Sequence, residues 1–164
     1  MKHYPGVFKK RTLGLSAPQI GYSKRFILFA NIEAANPQSD ITVCYNPRLV
    51  STSPETNSFS ESCLSDPSRQ AQVTRPNSCT IEYNDMDGKL HVHASRNQWE
   101  SRIILHEMDH LEGIDMTQRA HEVLLSHEWL EHERLRRMLR NTSKAGIVRY
   151  ALRFPVRENL LRIL

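Results

Sequence analysis

No stretch of this chain approaches the roughly 20 consecutive apolar residues that a membrane span needs, so no transmembrane segment is expected. Cysteine is scarce, with only Cys44, Cys63 and Cys79 at wide spacing. An odd, scattered set argues against a disulfide framework and for a reducing compartment, and it leaves at least one thiol free for a metal or for chemistry. Internal repeats and low-complexity tracts are absent. The opening MKHYPGVFKKRT is basic but has no apolar core, so it does not read as a secretory signal. It is also too short, and too poor in serine and arginine, to read as a transit peptide.

What is present is an ordinary soluble composition: 164 residues, 39% hydrophobic and 24% charged, with a mean hydropathy of −0.53. That length suits one domain with one core. The net charge of +4 is unevenly placed, because residues 134–164 hold nine Lys and Arg against one acidic residue. The isoelectric point of about 9.1 therefore belongs to the tail, and the remainder is mildly acidic. A single catalytic domain is expected over residues 1–140, followed by a basic extension over 141–164.

Short apolar or β-branched runs predict strands at RFILFA (25–30) and ITVCYNP (41–47), the second ended by Pro47. NIEAANPQSD and STSPETNSFS (51–60) read as polar loops, the latter with weak strand character. SCTIEY (78–83) and KLHVHA (89–94) form a hairpin around Asp87-Gly88. A helix follows, opened by Ser95 with Gln98 as a capping box and closed by Gly113. Ile103, Ile104, Met108 and Leu111 supply its apolar side. A second helix is expected from about Gln118 to Arg140, on the pairs Leu125/Trp129 and Leu135/Leu139. Strands first and helices after give an α+β class.

The first helix carries LHEMDHLEG (105–113). His106 and His110 lie one turn apart on one face, so both imidazoles can reach one ion. Glu107 is offset by about 100°, near enough to reach a water at that ion without ligating it. The competing reading is a solvated helix face with incidental histidines. A catalytic metal site needs three protein ligands and an open position. His121, His127 and His132 have surface-like spacing, and Cys63, in the compact segment ESCLSDP, is the better third ligand. A thiolate with two imidazoles suits a borderline-soft divalent ion.

LGLSAPQIG (13–21), ESCLS (61–65) and LHEMDHLEG (105–113) together resemble the three ordered motifs of the peptide deformylase family. The resemblance covers about residues 12–118. It implies antiparallel sheets packed around a central HExxH helix with a C-terminal helix, and removal of the formyl group from the initiator methionine of nascent chains. It further implies one divalent ion held by Cys63, His106 and His110, most often Fe(II), with Zn(II), Ni(II) or Co(II) as substitutes. Glu107 would carry the proton to the leaving amine. The Gln19 amide and the Leu64 N–H would meet the formyl oxygen. Gly14 and Leu15 would pair with the substrate backbone, and Ile103 and Leu64 would line a methionine pocket. Glu61 and Arg75 resemble a supporting ion pair.

The match departs from the family pattern at Thr12 and Ser62, where glycine is usual, and at Leu105, where glutamine is usual. Ser62 puts a Cβ beside the cleft, and Leu105 removes a polar group near the first histidine, so reduced activity is one expectation. About eleven residues precede the first motif, where the family has a strand and a helix. His91 and His93 share a strand face and read as polar surface; Cys44 and Cys79 read as core, Trp99 and Trp129 as packing residues. The basic tail, residues 134–164, would contact ribosomal RNA, touch an anionic membrane, or be a solvated extension. LSAPQ is more similar to organellar enzymes of eukaryotes than to common bacterial ones, which favours the mitochondrion over the cytoplasm. A monomer or weak dimer is expected. The alternatives to a deformylase are a general zinc peptidase and a non-catalytic relative that binds RNA through its tail.

Overall fold

The computed structural model describes residues 13–36, 40–125, 130, 131, 134 and 137. Its elements run β1 Gly14–Ser16, a 3-10 turn Ala17–Ile20, β2 Phe26–Ala30, β3 Ile41–Thr52, β4 Thr56–Cys63 and β5 Asp66–Pro76. They continue with β6 Cys79–Asn84, β7 Leu90–Ala94, α1 Gln98–Leu111, α2 Met116–Arg119 and β8 Glu122–Leu125. Two antiparallel sheets result, one of five strands in the order β1-β2-β3-β6-β7 and one of three in the order β4-β5-β8. With α1 packed against both, this is the expected α+β architecture.

Helix α1 is buried on more than one side, and each side explains a stretch of sequence. Ile104 and Leu105 pack with Ile27, Phe29, Cys44, Cys79 and Ile81 of the larger sheet. Alternation puts those residues inward: Ile27 and Phe29 are fully buried on β2, and Cys79 and Ile81 on β6. Cys44 and Cys79 are thus core thiols, as expected. The other side of α1 presents Arg102, His106 and Asp109, spaced by four and three residues, to the smaller sheet.

Four expectations need correction. Strand β3 continues through Pro47 because a register shift falls between Tyr45 and Arg48. Asn46 takes a φ of 50° there, its N–H bonds the Arg25 carbonyl at 2.7 Å, and the missing N–H of buried Pro47 costs no ladder bond. Residues 56–60 are strand, not loop. Their outward positions are Thr56, Ser58 and Ser60, while the inward ones, Asn57, Phe59 and Glu61, serve the polar side of α1. The cap of α1 is Asn97, whose side chain accepts from the N–H groups of Trp99 and Glu100; Ser95 instead accepts from the Cys79 N–H at 3.1 Å. Finally, the second helix does not start at Gln118: α2 ends at Arg119, and 122–125 pair with β5 as β8.

Further along, Leu130, Glu131, Arg134 and Arg137 are helical, while Trp129, Leu135, Leu139 and the extension 141–164 lie outside the described residues. Trp99 packs its ring 4.4 Å from that of Phe59. The Asp87-Gly88 turn forms as expected, with Gly88 at φ +80°. No helix among the described residues is long and apolar enough to cross a membrane.

Because Ile104 is fully buried at the centre of the main core, Ile104→Ala is expected to lower the unfolding free energy by about 3 kcal/mol. Urea unfolding followed by circular dichroism checks this.

Candidate active site

His106 and His110 occupy successive turns of α1, their ring centroids 4.9 Å apart and nearly perpendicular. Cys63 ends β4, where a register shift after Ser62 turns the chain toward the helix. The Cys63 Sγ lies 3.2 Å from His110 Nε2, and the ligand atoms of all three residues fall within 4.8 Å of one another. Burial alone would raise the Cys63 thiol, but hydrogen bonds with His106 and His110 and the His106 charge bring it down to about 5. A thiolate is therefore in place at neutral pH, and thiolate plus two imidazoles fits a divalent transition metal with a position left over.

Behind the three donors lies a buried ionic network that sequence reading found only in part. Glu61 Oε2 bonds His106 Nδ1 at 2.9 Å, which directs Nε2 toward the other two ligands. Arg75 grips Glu61 with a two-pronged contact at 2.6 and 3.0 Å and reaches Asp109 at 2.9 Å. Arg102 donates to Glu61 at 2.6 Å and to the Val73 and Asn57 carbonyls, and Arg119 closes the chain on Asp109 at 2.8 Å. Burial pushes the Glu61 carboxyl up, yet the bonds from His106 and Arg75 hold it near 2. The pair Glu61/Arg75 was legible from sequence. Arg102, four residues before His106 on one helix face, was legible in principle; Asn57, in an apparent loop, was not.

The opposite side of the donors is shaped by β1, which among the described residues is an edge strand of the larger sheet. Glu107 lies beneath it, 4% exposed, with Oε2 unpartnered. Burial raises Glu107 to about 7, against the lowering charges of His106 and His110. Gly14 exists for this carboxylate: a Cβ there would come 2.5 Å from Glu107 Oε1 and 2.9 Å from Ile103 Cγ2. Gly14 is expected to admit a substrate backbone; the contact seen there is with Glu107.

Gln19, in the turn after β1, points Nε2 at Cys63 Sγ (3.4 Å) and Ser65 Oγ (3.2 Å). Half-buried Leu64 occupies the turn between β4 and β5, beside Cys63 in sequence, and half-buried Leu15 pairs with Leu28 on β2. Gln19 and Cys63 thus meet across the site, as do Gly14, Ile103 and Glu107.

Of the departures, Ser62 faces outward, and the described non-glycine residue at positive φ is Asn46, so serine strains nothing there. Leu105 fills the apolar core. Thr12 lies outside the described residues. His121 is exposed, 3.5 Å from Ser58 Oγ and not among the clustered ligands, while His127 and His132 lie outside the described residues. His91 and His93 are engaged by Asp85 and Glu100. A cavity of about 440 Å³ bordered by Arg25, Arg75, Met108, Asp109 and Arg119 is lined by none of the three ligands and lies on the side of the ionic network.

An α+β scaffold whose central HExxH helix meets a cysteine from a neighbouring strand defines a mononuclear metal-site protein. The family model for polypeptide deformylase matches residues 2–124. Peptide deformylase from Synechocystis is 32% identical over 127 residues, 77% of this chain and 67% of the relative. That of Natranaerobius thermophilus is 37% identical over 123 residues, 74% of each. Among solved structures, a Synechococcus elongatus peptide deformylase in complex with actinonin superposes with a TM-score of 0.61 at 32% identity, covering 67% of this chain and 59% of that one. Arabidopsis thaliana peptide deformylase 1B gives 0.62 at 31% identity, covering 77% and 65%. The chain belongs to the peptide deformylase family. It spans 67% and 74% of the length of these two curated relatives.

Cys63→Ala is expected to abolish stoichiometric metal binding, whereas His121→Ala retains it. Metal content of the desalted proteins by mass spectrometry checks both.

Proposed function

We propose that the protein hydrolyses the N-formyl group of formyl-methionyl peptides, releasing formate and a free amino terminus. The observation that carries this reading is the buried Glu107 carboxylate, its Oε2 without a partner, set between the Cys63/His106/His110 cluster and strand β1. A divalent ion held by those three residues would supply Lewis acidity and an activated water. Fe(II) is the proposed metal, with Zn(II), Ni(II) or Co(II) as substitutes.

The chain's own residues account for the rest. A peptide adds to β1 as a further strand, its main chain pairing with Leu15 and neighbours. Ile103 and Leu64 offer apolar surface to the methionine side chain. Gln19 Nε2 and the Leu64 N–H donate to the formyl oxygen as negative charge develops on it. Glu107, as the carboxylate, accepts a proton from the attacking water and returns it to the nitrogen as the C–N bond breaks, a double role that a pKa raised to about 7 suits. Water's oxygen leaves in formate, and the proton ends on the new amine.

Protein loaded with Fe(II) under nitrogen is expected to release formate from a formyl-Met peptide. Glu107→Ala should keep its metal and lose at least about a hundredfold in rate. Folded, metal-loaded protein that releases no formate would overturn the reading and favour a non-catalytic relative.

The tail, residues 134–164, is proposed to contact ribosomal RNA, supported by its nine basic residues against one acidic residue. A mitochondrial location, with the cytoplasm as alternative, is proposed on the LSAPQ form of the first motif. Replacing the basic residues of RLRRMLR (134–140) is expected to leave free-peptide turnover unchanged and to weaken co-sedimentation with ribosomes. Unaltered sedimentation would remove the RNA assignment.

A further inference from the structure

A side-chain amide is nearly symmetrical in shape and opposite in function at its two ends, so a catalytic glutamine must be told which way to face. Gln19 receives that instruction from one residue. Ser16, the last residue of β1, is fully buried. Its backbone N–H donates to Gln19 Oε1 at 2.9 Å, and its hydroxyl meets the same oxygen at 3.0 Å. An amide oxygen only accepts, so the hydroxyl is the donor. With both donors on Oε1, Nε2 is left to face Cys63 and Ser65. Turning the amide over would set its NH2 against the Ser16 N–H, losing that bond, force the hydroxyl to reverse from donor to acceptor, and aim Oε1 at the Cys63 sulfur.

We propose that the Ser16 hydroxyl is a positioning group for Gln19, holding Nε2 toward the reacting oxygen. Two hydrogen bonds from one residue also polarise the amide, which strengthens donation from its nitrogen. The backbone donor is common to any residue at position 16; the hydroxyl is particular to the LSAPQ form found here. The same hydroxyl is within hydrogen-bonding reach of Glu107, so the experiment must separate service to Gln19 from service to the acid.

The kinetic consequence rests on the formyl-hydrolysis reading; the positional one does not. Ser16→Ala removes one donor and leaves the backbone bond. Because charge on the formyl oxygen develops in the transition state, the loss should fall on kcat, by about threefold to tenfold, with KM and metal affinity unchanged. Ser16→Thr, which keeps the hydroxyl, should restore most of it. In parallel, the Gln19 side-chain NH2 resonances of the Zn(II)-loaded protein, assigned by their disappearance in Gln19→Ala, report the amide directly. They should shift and exchange with solvent several-fold faster in Ser16→Ala than in the wild-type or Ser16→Thr protein.

Unchanged Gln19 resonances in Ser16→Ala would overturn the proposal, even with a reduced rate, which would then belong to Glu107. A rise in KM or loss of metal affinity would make Ser16 a structural residue and overturn it equally. If the wild-type protein releases no formate, the hydrolysis reading fails, and the resonance comparison still decides the role of Ser16.

Discussion

The Glu61 carboxylate is the constraint on which the rest of the structure depends. It is 6% exposed and joins Arg75, Arg102 and His106, from a strand of the smaller sheet and from α1. A helix packed on two sides must satisfy whatever polar groups it buries, because an unpaired charge in a dry interior costs several kcal/mol. Here the polar side of α1 is matched by Asn57, Glu61, the Val73 carbonyl and Arg75, with Arg102 Nε left without a partner. Breaking such a network by removing one partner typically costs about 3–5 kcal/mol. The same contacts that dock the helix also aim His106, so the stability of the fold and the geometry of the ligand set are one problem.

Two opposite electrostatic environments meet at that helix, one built on β4 and one on α1. Cys63 and Glu61 are buried acids whose cationic or hydrogen-bonding neighbours outweigh burial and keep them ionised. Glu107 is a buried acid for which burial outweighs the lowering influence of His106 and His110 and raises its pKa to about 7. The difference is partnership: Glu107 Oε2 has no donor, and the room for the side chain comes from the absence of a Cβ at Gly14. An acid poised near neutral pH can both take and return a proton, whereas the strongly ionised Glu61 can only hold and orient.

The metal-binding helix and the hairpin β6–β7 were legible because each bears its own period: 3.6 for α1, where the two histidines fall on a different face from Ile104, Met108 and Leu111, and 2 for the hairpin, with a turn of Asp and Gly. Strand β4 was hidden because Phe59 is the single large apolar side chain among its inward positions and its outward ones are mostly serine, so alternation carries little apolar signal. Strand β8 was hidden for the opposite reason. Val123, Leu124 and Leu125 fit either element, and pairing with Arg69 to Ala71 on β5 decided for strand. Pro47 misled because its missing N–H ends a regular ladder but not one that is already bulged at that point.

The sequence by itself determined the class, the family and the chemical parts: the ordered motifs, the HExxH helix and the thiol in ESCLS. These are local patterns, carried by residue type and spacing along one element. Tertiary structure alone decided which residues serve those parts. That Gly14 makes way for Glu107, that Arg102 and Arg75 share Glu61, and that Ser16 orients Gln19 are contacts between groups whose partners were chosen by packing. Steric room and the satisfaction of buried charge depend on what lies across a gap of a few ångströms, and a one-dimensional pattern carries no record of that.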